Sequence, residues 1–176
     1  MVFDMSEVEE AFRRYWSLGA VGEDWDAWCD QCFTEDVHYV EHILGVKEGR
    51  EAVRRWIKPT MEEYGEIYTA YEWHMVGPDG RVVVYMQNRR DHPGGDAPID
   101  FPGMTVLQYA GDGKFSLEED FWSLTEGTRT MKQYERACAE HDPEFPRKRT
   151  RRNWGKGPDW TRGADDYTGS LGARRG

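Results

Sequence analysis

The chain has 176 residues, of which 38% are hydrophobic and 14% aromatic, and this is enough for one domain with a substantial core. Residues 1–140 carry 14 Lys and Arg against 28 Asp and Glu, and residues 141–176 carry 9 against 5, so the net charge of −10 divides into −14 and +4. An acidic body repels phosphate backbones, so nucleic-acid binding is not expected outside the basic tail.

Targeting and redox signals are not found in the sequence. No run of 18 or more apolar residues predicts a membrane span, and the first ten residues lack the basic start and apolar core of a signal peptide. Three cysteines cannot all pair, and Cys29 and Cys32 fall in a predicted helix, so structural thiols are expected. We therefore expect a soluble cytoplasmic protein.

Two helices are predicted at the start of the chain. Apolar residues recur at helical spacing from Ser6 to about Gly19, and Ser6 and Glu9 match a capping box. A second, shorter helix is predicted from Asp24 to Phe33. Each helix has an apolar face, which indicates packing against another element.

The segment DVHYVEHI, residues 36–43, changes to a period of two, which is typical of a strand. Tyr39 and Glu41 share one face of this strand, and we expect them to point away from the interior. The opposite face, which we expect to look into a cavity, carries His38, Val40 and His42.

The remainder of the chain is rich in predicted strands. A helix is expected from about Glu48 with an interruption at Pro59, and a last helix over 128–141. Turns rich in Gly, Pro and Asp separate the strands, which indicates hairpin connections. The predicted strands cover 68–76, 81–91, 101–110 and 114–124.

This order of elements predicts an α+β domain over residues 1–141. A cone-shaped, curved antiparallel sheet is expected to wrap around the N-terminal helices and to leave a pocket at its open end, where a small molecule binds. Residues 142–176 are rich in Gly, Arg and Asp and poor in apolar residues, so a basic tail that is disordered or loosely packed is expected.

Two stretches, FTEDVHYVEHILGVKEGREAVRRWI and LQYAGDGKFSLEEDFW, resemble the SnoaL-like branch of the nuclear transport factor 2-like superfamily. The resemblance extends over about residues 6–140. It implies the cone-shaped fold and a homodimer that pairs through the convex side of the sheet. The superfamily includes ketosteroid isomerases, polyketide cyclases, scytalone dehydratases and limonene epoxide hydrolases, and also members that only bind ligands or partners.

The resemblance implies roles for four positions. Tyr15 is similar to the tyrosine of ketosteroid isomerases that donates a hydrogen bond to the oxyanion. His42 stands where those isomerases have an aspartate base, so an imidazole replaces the carboxylate. Their second oxyanion-hole acid falls on Thr105, or on Asp100 if the preceding loop is aligned differently. Asp120 resembles the strand aspartate that serves as acid or base in SnoaL-like cyclases and epoxide hydrolases.

His42 and Asp120 are the strongest candidates for a catalytic pair of base and carboxylate. If both strands turn these side chains to the concave side of the sheet, Asp120 orients one imidazole nitrogen and makes the other a base near working pH. The alternative is a structural hydrogen bond in an inert cavity. The residues expected to complete the ligand site are His38, Val40, Trp56, Tyr85, Thr105, Leu107, Glu118 and Trp122.

No metal site or cofactor is predicted. His38 and His42 lie about 13 Å apart on a strand that rises roughly 3.3 Å per residue, which is too far to share one Zn²⁺. The charged loop NRRDHPGGD, residues 88–96, is expected to be a solvated hairpin or a rim that meets a polar substrate group.

The expected function is that of a cofactor-independent lyase, isomerase or cyclase acting on a hydrophobic substrate of polyketide, steroid or terpenoid type. In this hypothesis His42 is the general base, Asp120 its partner or the acid, and Tyr15 the oxyanion donor. The alternative is a non-catalytic domain of the same fold that binds a small molecule or another protein. A third interpretation gives the tail a nucleic-acid partner, and no membrane partner is expected.

Overall fold

The structure is a computed structural model that describes residues 2–148 as one six-stranded sheet with helices packed against it. The strands are β1 (Phe33–Glu41), β2 (Gly45–Glu48), β3 (Tyr68–Val76), β4 (Arg81–Arg90), β5 (Ile99–Gly111) and β6 (Lys114–Trp122). The helices are α1 (Met5–Trp16), α2 (Trp25–Cys32), α3 (Arg50–Glu63), α4 (Leu124–His141) and the short α5 (Phe145–Lys148), and a π-helical turn, Ser17–Val21, follows α1.

Local sequence explains where the helices begin. The side chains of Asp4, Asp24 and Ser123 each accept a backbone N–H in the first turn of α1, α2 and α4, respectively. The predicted interruption at Pro59 is not observed, since α3 continues for another turn beyond it. A proline this close to the end of a helix removes one hydrogen bond without breaking the packed face before it.

The sheet has the strand order β2-β1-β6-β5-β4-β3. Strands β3 to β6 are joined by hairpins, and the register sets Thr105 of β5 opposite Asp120 of β6. The predicted α+β class with a curved sheet is confirmed, but β1 pairs with β6 in parallel, so that Glu41 lies beside Asp120. Residues 42–113 separate β1 from β6, so no tight turn forces these two strands to be antiparallel.

The core lies between the sheet and helices α1, α2 and α3. Its largest fully buried rings are Phe12, Phe33, Tyr109 and Phe115. Cys29 and Cys32 are unpaired in this core, and burial raises the pKa of each thiol to about 12, as expected of structural cysteines. A smaller cluster joins β5 to α4 and consists of Ile99, Tyr134, Ala137 and Cys138.

The C-terminal part is only partly described. Residues 142–148 contain α5, and the rest of the predicted basic tail, residues 149–176, lies outside the described residues. Within residues 2–148, no helix is both long and apolar enough to cross a membrane.

Candidate functional site

A cavity of about 420 Å³ opens between the inner face of the curved sheet and the helices. Its walls are largely apolar because helices α1 to α4 and strands β1, β4, β5 and β6 all turn aromatic or aliphatic side chains towards it. The main aromatic wall residues are Trp16, Trp28, Trp56, Phe101, Phe121 and Trp122. This lining suits a hydrophobic ligand with at least one flat ring.

Two acidic residues of β6, Glu118 and Asp120, form a carboxyl pair in the cavity wall. They are two residues apart on a strand, so both side chains point to the same side of the sheet. The hydroxyl of Tyr15 donates to Glu118 Oε1 at 2.7 Å, and the hydroxyl of Tyr39 donates to Asp120 Oδ2 at 2.6 Å. The hydroxyl of Thr105 donates to Asp120 Oδ1.

Burial raises the proton affinity of both members of the carboxyl pair. Burial raises the pKa of Asp120 to about 6, while the hydrogen bonds from Thr105 and Tyr39 oppose that rise. The pKa of Glu118 is raised well above its ordinary value, first by burial and then by the charge of Asp120. Asp120 therefore ionises near pH 6, and Glu118 holds its proton more tightly than an ordinary glutamate does.

The two tyrosines remain hydrogen-bond donors at every physiological pH. Burial, together with the nearby carboxyl groups, raises the pKa of Tyr15 and of Tyr39 well above the ordinary tyrosine value. Each hydroxyl therefore fixes the position of one member of the carboxyl pair.

A third buried acid, Glu41, ends β1 at the edge of the cavity. Its Oε1 accepts the indole N–H of Trp122 at 2.5 Å, and its Oε2 accepts the backbone N–H of Ile43 at 3.1 Å and that of Leu44. These contacts tie the turn after β1 to the wall of the cavity. The charge of Glu41 also contributes to the raised pKa of Asp120.

The prediction that the even-numbered face of β1 lines the cavity is wrong. His42 is 44% exposed, and its Nε2 lies 2.8 Å from Glu119 Oε1 on the outer side of the sheet. His38 is also exposed and contacts Glu48 at 2.9 Å. The odd-numbered face is the buried one because it carries the apolar side chains of this strand, including Phe33 and Val37.

The other predicted site residues divide into two groups. Three of them lie outside the cavity: Val40 on the outer face of β1, Tyr85 stacked on Trp73 at 5.5 Å, and Leu107 fully buried in the core. Asp100, the alternative to Thr105, accepts two hydrogen bonds from Arg89, one from Nη2 to Oδ2 at 2.6 Å and one from Nε to Oδ1 at 2.9 Å. The predicted residues that do lie in the cavity wall are Tyr15, Trp56, Thr105, Glu118, Asp120 and Trp122.

The residues of the cavity wall that sequence reasoning missed include Tyr39, Glu41 and Arg90. The apolar pattern of the odd face of β1 contained the signal for the first two. Arg90 is 3% exposed, and its Nε donates to Glu66 Oε1 at 3.0 Å. Its terminal nitrogen Nη1 has no hydrogen-bond partner within residues 2–148. A buried arginine at the end of a strand gives no periodic signal, because such residues are far more often exposed.

Known proteins are similar to this chain in sequence profile and in fold. The profile of the SnoaL-like domain family matches residues 9–117. No curated protein sequence matches the chain. The epoxide hydrolase/cyclase-like enzyme SalBIII, described for pyran ring formation in the polyether salinomycin, is similar with a TM-score of 0.56 and 22% identity, over 70% of this chain and 95% of its own.

Two further solved structures show the same likeness. A putative SnoaL-like polyketide cyclase from Jannaschia Sp. CCS1 has a TM-score of 0.56 and 21% identity, over 72% of this chain and 92% of its own. An LEH-like epoxide hydrolase from M. tuberculosis has a TM-score of 0.58 and 16% identity, over 77% and 97%. At these identities the structural likeness establishes the fold.

Proposed function

Because this chain belongs to the SnoaL-like domain family, and because its cavity contains an acid and a base side by side, we propose that it is a cofactor-independent enzyme that transfers protons on a hydrophobic small molecule. The carboxyl pair supports this proposal, since burial raises the pKa of Asp120 to about 6 and raises that of Glu118 well above its ordinary value, and we assign the base to Asp120 and the acid to Glu118. Two titratable groups with separated pKa values supply a general base and a general acid in one site.

Asp120 is the general base in this mechanism. It accepts a proton from the carbon next to a substrate carbonyl, and burial gives it a pKa close to working pH. The hydrogen bonds from Tyr39 and Thr105 hold its carboxylate in place. This role moves from His42, the base suggested by the resemblance, to a carboxylate inside the cavity.

Glu118 is the general acid. Its Oε1 accepts from Tyr15, and its Oε2 is buried with no hydrogen-bond partner within residues 2–148. A proton on Oε2 is therefore available to the substrate oxygen, on which negative charge develops when the carbon is deprotonated. Tyr15 then acts as a positioning residue for Glu118.

The same first step serves each reaction class proposed here. Return of the proton to a different carbon completes an isomerisation. Departure of a neighbouring hydroxyl group as water, with the proton that Asp120 took from carbon, completes an elimination. Attack of the enolate on a second carbonyl of the same molecule completes a cyclisation. The aromatic walls favour substrates of polyketide, steroid or terpenoid type.

A non-catalytic ligand-binding domain is the second candidate function. The observation that favours it is that three hydroxyl groups, those of Tyr15, Tyr39 and Thr105, already donate to the carboxyl pair. A network satisfied by the protein itself also stabilises an inert cavity.

Parallel assays of binding and turnover distinguish the two candidates. We would incubate ketones and epoxides of the three classes with wild type, Asp120→Asn and Glu118→Gln, and follow binding by thermal shift and turnover by mass spectrometry. The matched control is Glu119→Gln, which changes an acid of the same strand on its outer face. Turnover by wild type and the control, but not by the two cavity variants, supports the enzyme. Binding without turnover by all four proteins supports the ligand-binding domain.

A further inference from the structure

Three potential metal ligands meet outside the cavity. His92 and Asp96 lie in the loop between β4 and β5, and His141 is the last residue of α4. One ligand atom from each of the three lies within 4.8 Å of the other two. We propose that they form a binding site for a divalent transition metal of the Zn²⁺ type. This proposal is independent of the proposed function.

The spacing of the side chains fits a shared ion better than direct contacts. His92 Nδ1 lies 3.8 Å from Asp96 Oδ2, which is too long for a hydrogen bond. Two ligands that each bind zinc at about 2.1 Å lie roughly 3.4 Å apart in a tetrahedral site, so a small shift of the loop suffices. The rings of His92 and His141 are 5.4 Å apart between centroids, close enough for both to reach one ion.

The loop is shaped to receive the imidazole of His141. A Cβ atom on Gly94 would lie 2.9 Å from His141 Cε1, so only glycine lets the ring approach the loop this closely. The backbone N–H of Gly94 donates to His92 Nδ1 at 3.1 Å, which turns this nitrogen towards the loop. A metal bound at Nδ1 takes the place of that single hydrogen bond.

The electrostatic setting favours a cation. His141 ends an 18-residue helix, and the unpaired carbonyl groups at the C-terminus of a helix carry partial negative charge. Asp96 adds a full negative charge. Two imidazoles and one carboxylate are ligands that Zn²⁺ accepts readily, and the 78% exposure of the Asp96 side chain leaves space for water at the fourth position.

A metal at this site connects the loop between β4 and β5 to the end of α4. The end of α4 packs on β5 through the small cluster that includes Ile99 and Tyr134. The beginning of the same helix contributes Leu124 and Met131 to the cavity wall. Metal binding therefore stabilises the position of a helix that forms part of the cavity.

Titration of untagged protein with Zn²⁺ tests the site. After treatment with a chelator, isothermal titration calorimetry of wild type should give one saturable site per chain. His92→Ala and His141→Ala should each weaken binding by at least about tenfold, since each removes one of three ligands. The matched control is His38→Ala, which removes an imidazole from another surface pair with a carboxylate, and its affinity should equal that of wild type.

A further variant keeps all three ligands. Gly94→Ala pushes His141 away from the loop through its new Cβ atom, so binding should weaken although no ligand is lost. Circular dichroism must show that every variant is folded. Absence of saturable binding to wild type, or equal affinity of wild type and the double variant His92→Ala/His141→Ala, would overturn the proposal.

Discussion

Acidic side chains lie on both faces of the sheet at strands β1 and β6, but those on the inner face are buried and those on the outer face are exposed. On the inner face, Glu118 and Asp120 receive hydrogen bonds from buried hydroxyl groups, and burial raises the pKa of both. On the outer face, His42 contacts Glu119 across the same two strands, but the pair is exposed to water. Water screens the outer pair, so it contributes little to stability or chemistry. Burial is what raises the pKa of the inner acids, and the proposed function depends on these raised pKa values.

The largest expected effect comes from removing the base on the inner face. Asp120→Asn should lower kcat/KM by about 10² to 10⁴, the usual contribution of a general base. Its outer neighbour provides the comparison, and Glu119→Gln should retain activity within about twofold. Steady-state kinetics on a substrate found in the screen would measure both. Equal losses in the two variants would remove the distinction between the faces.

The second effect is a pH dependence of stability. The pKa of Asp120 rises from 3.8 to about 6 on folding, so the folded state holds this proton more tightly than the unfolded state. The resulting stabilisation is complete below about pH 3.8 and is lost as the pH rises through about 6. A shift of about two pKa units changes the free energy of unfolding by about 3 kcal/mol.

Urea unfolding of wild type and Asp120→Asn measures this effect. The asparagine variant lacks the titrating group, so its free energy of unfolding should gain about 2.4 kcal/mol relative to wild type between about pH 4 and pH 7. Effects of groups whose pKa does not depend on Asp120 cancel in the difference, whereas the pKa of Glu118 falls in the variant because the charge of Asp120 is lost. A difference that does not change with pH would mean that Asp120 titrates at its ordinary value.

Replacement of each of the two cavity tyrosines should have smaller effects, which differ between Tyr39 and Tyr15. Tyr39→Phe removes a hydrogen bond that lowers the pKa of Asp120, so the pH midpoint of activity should move above about 6. Tyr15→Phe removes the donor to Glu118 instead and should leave that midpoint in place while lowering kcat. Each change should destabilise the protein by about 1 to 3 kcal/mol, because a buried acceptor loses its partner. Identical pH profiles for both variants would contradict these separate roles.

The smallest effect is expected on the outer face. His42→Ala removes the exposed contact with Glu119 and should change the free energy of unfolding by less than about 1 kcal/mol. Activity should stay close to that of wild type. Thermal denaturation and the turnover assay measure these outcomes, and a loss of activity as large as that of Asp120→Asn would return the role of base to His42.

The fold was accessible from sequence because its signals are local. Helical spacing in α1, alternation in the strands and glycine-rich turns each follow from neighbouring residues. The parallel pairing of β1 and β6 was not accessible, because it depends on contacts between distant parts of the chain. The same is true of the cluster of His92, Asp96 and His141, in which the two histidines are far apart in sequence.

The site was only partly predictable. Asp120, Glu118 and Tyr15 were identified as site residues. The hydrogen bonds around the two acids were not predicted, because Tyr39 was assigned to the wrong face of β1. The polar residues of β1 occur on both faces, so polarity alone does not say which face is buried. The apolar side chains decide it, because a strand turns its more hydrophobic face to the core. Following Phe33 to Tyr39 at a period of two predicts the observed orientation.

The central claim is that the carboxyl pair holds one proton at neutral pH, and it can be tested without a substrate. Nuclear magnetic resonance of ¹³C-labelled side-chain carboxyl groups, with Asp120→Asn and Glu118→Gln to assign the signals, would follow both groups during a pH titration. We predict that Asp120 titrates near pH 6 and that Glu118 titrates well above its ordinary range, so that the pair still holds a proton at neutral pH. Titration of both groups near pH 4 would contradict the account, because the cavity would then contain two carboxylates and no acid.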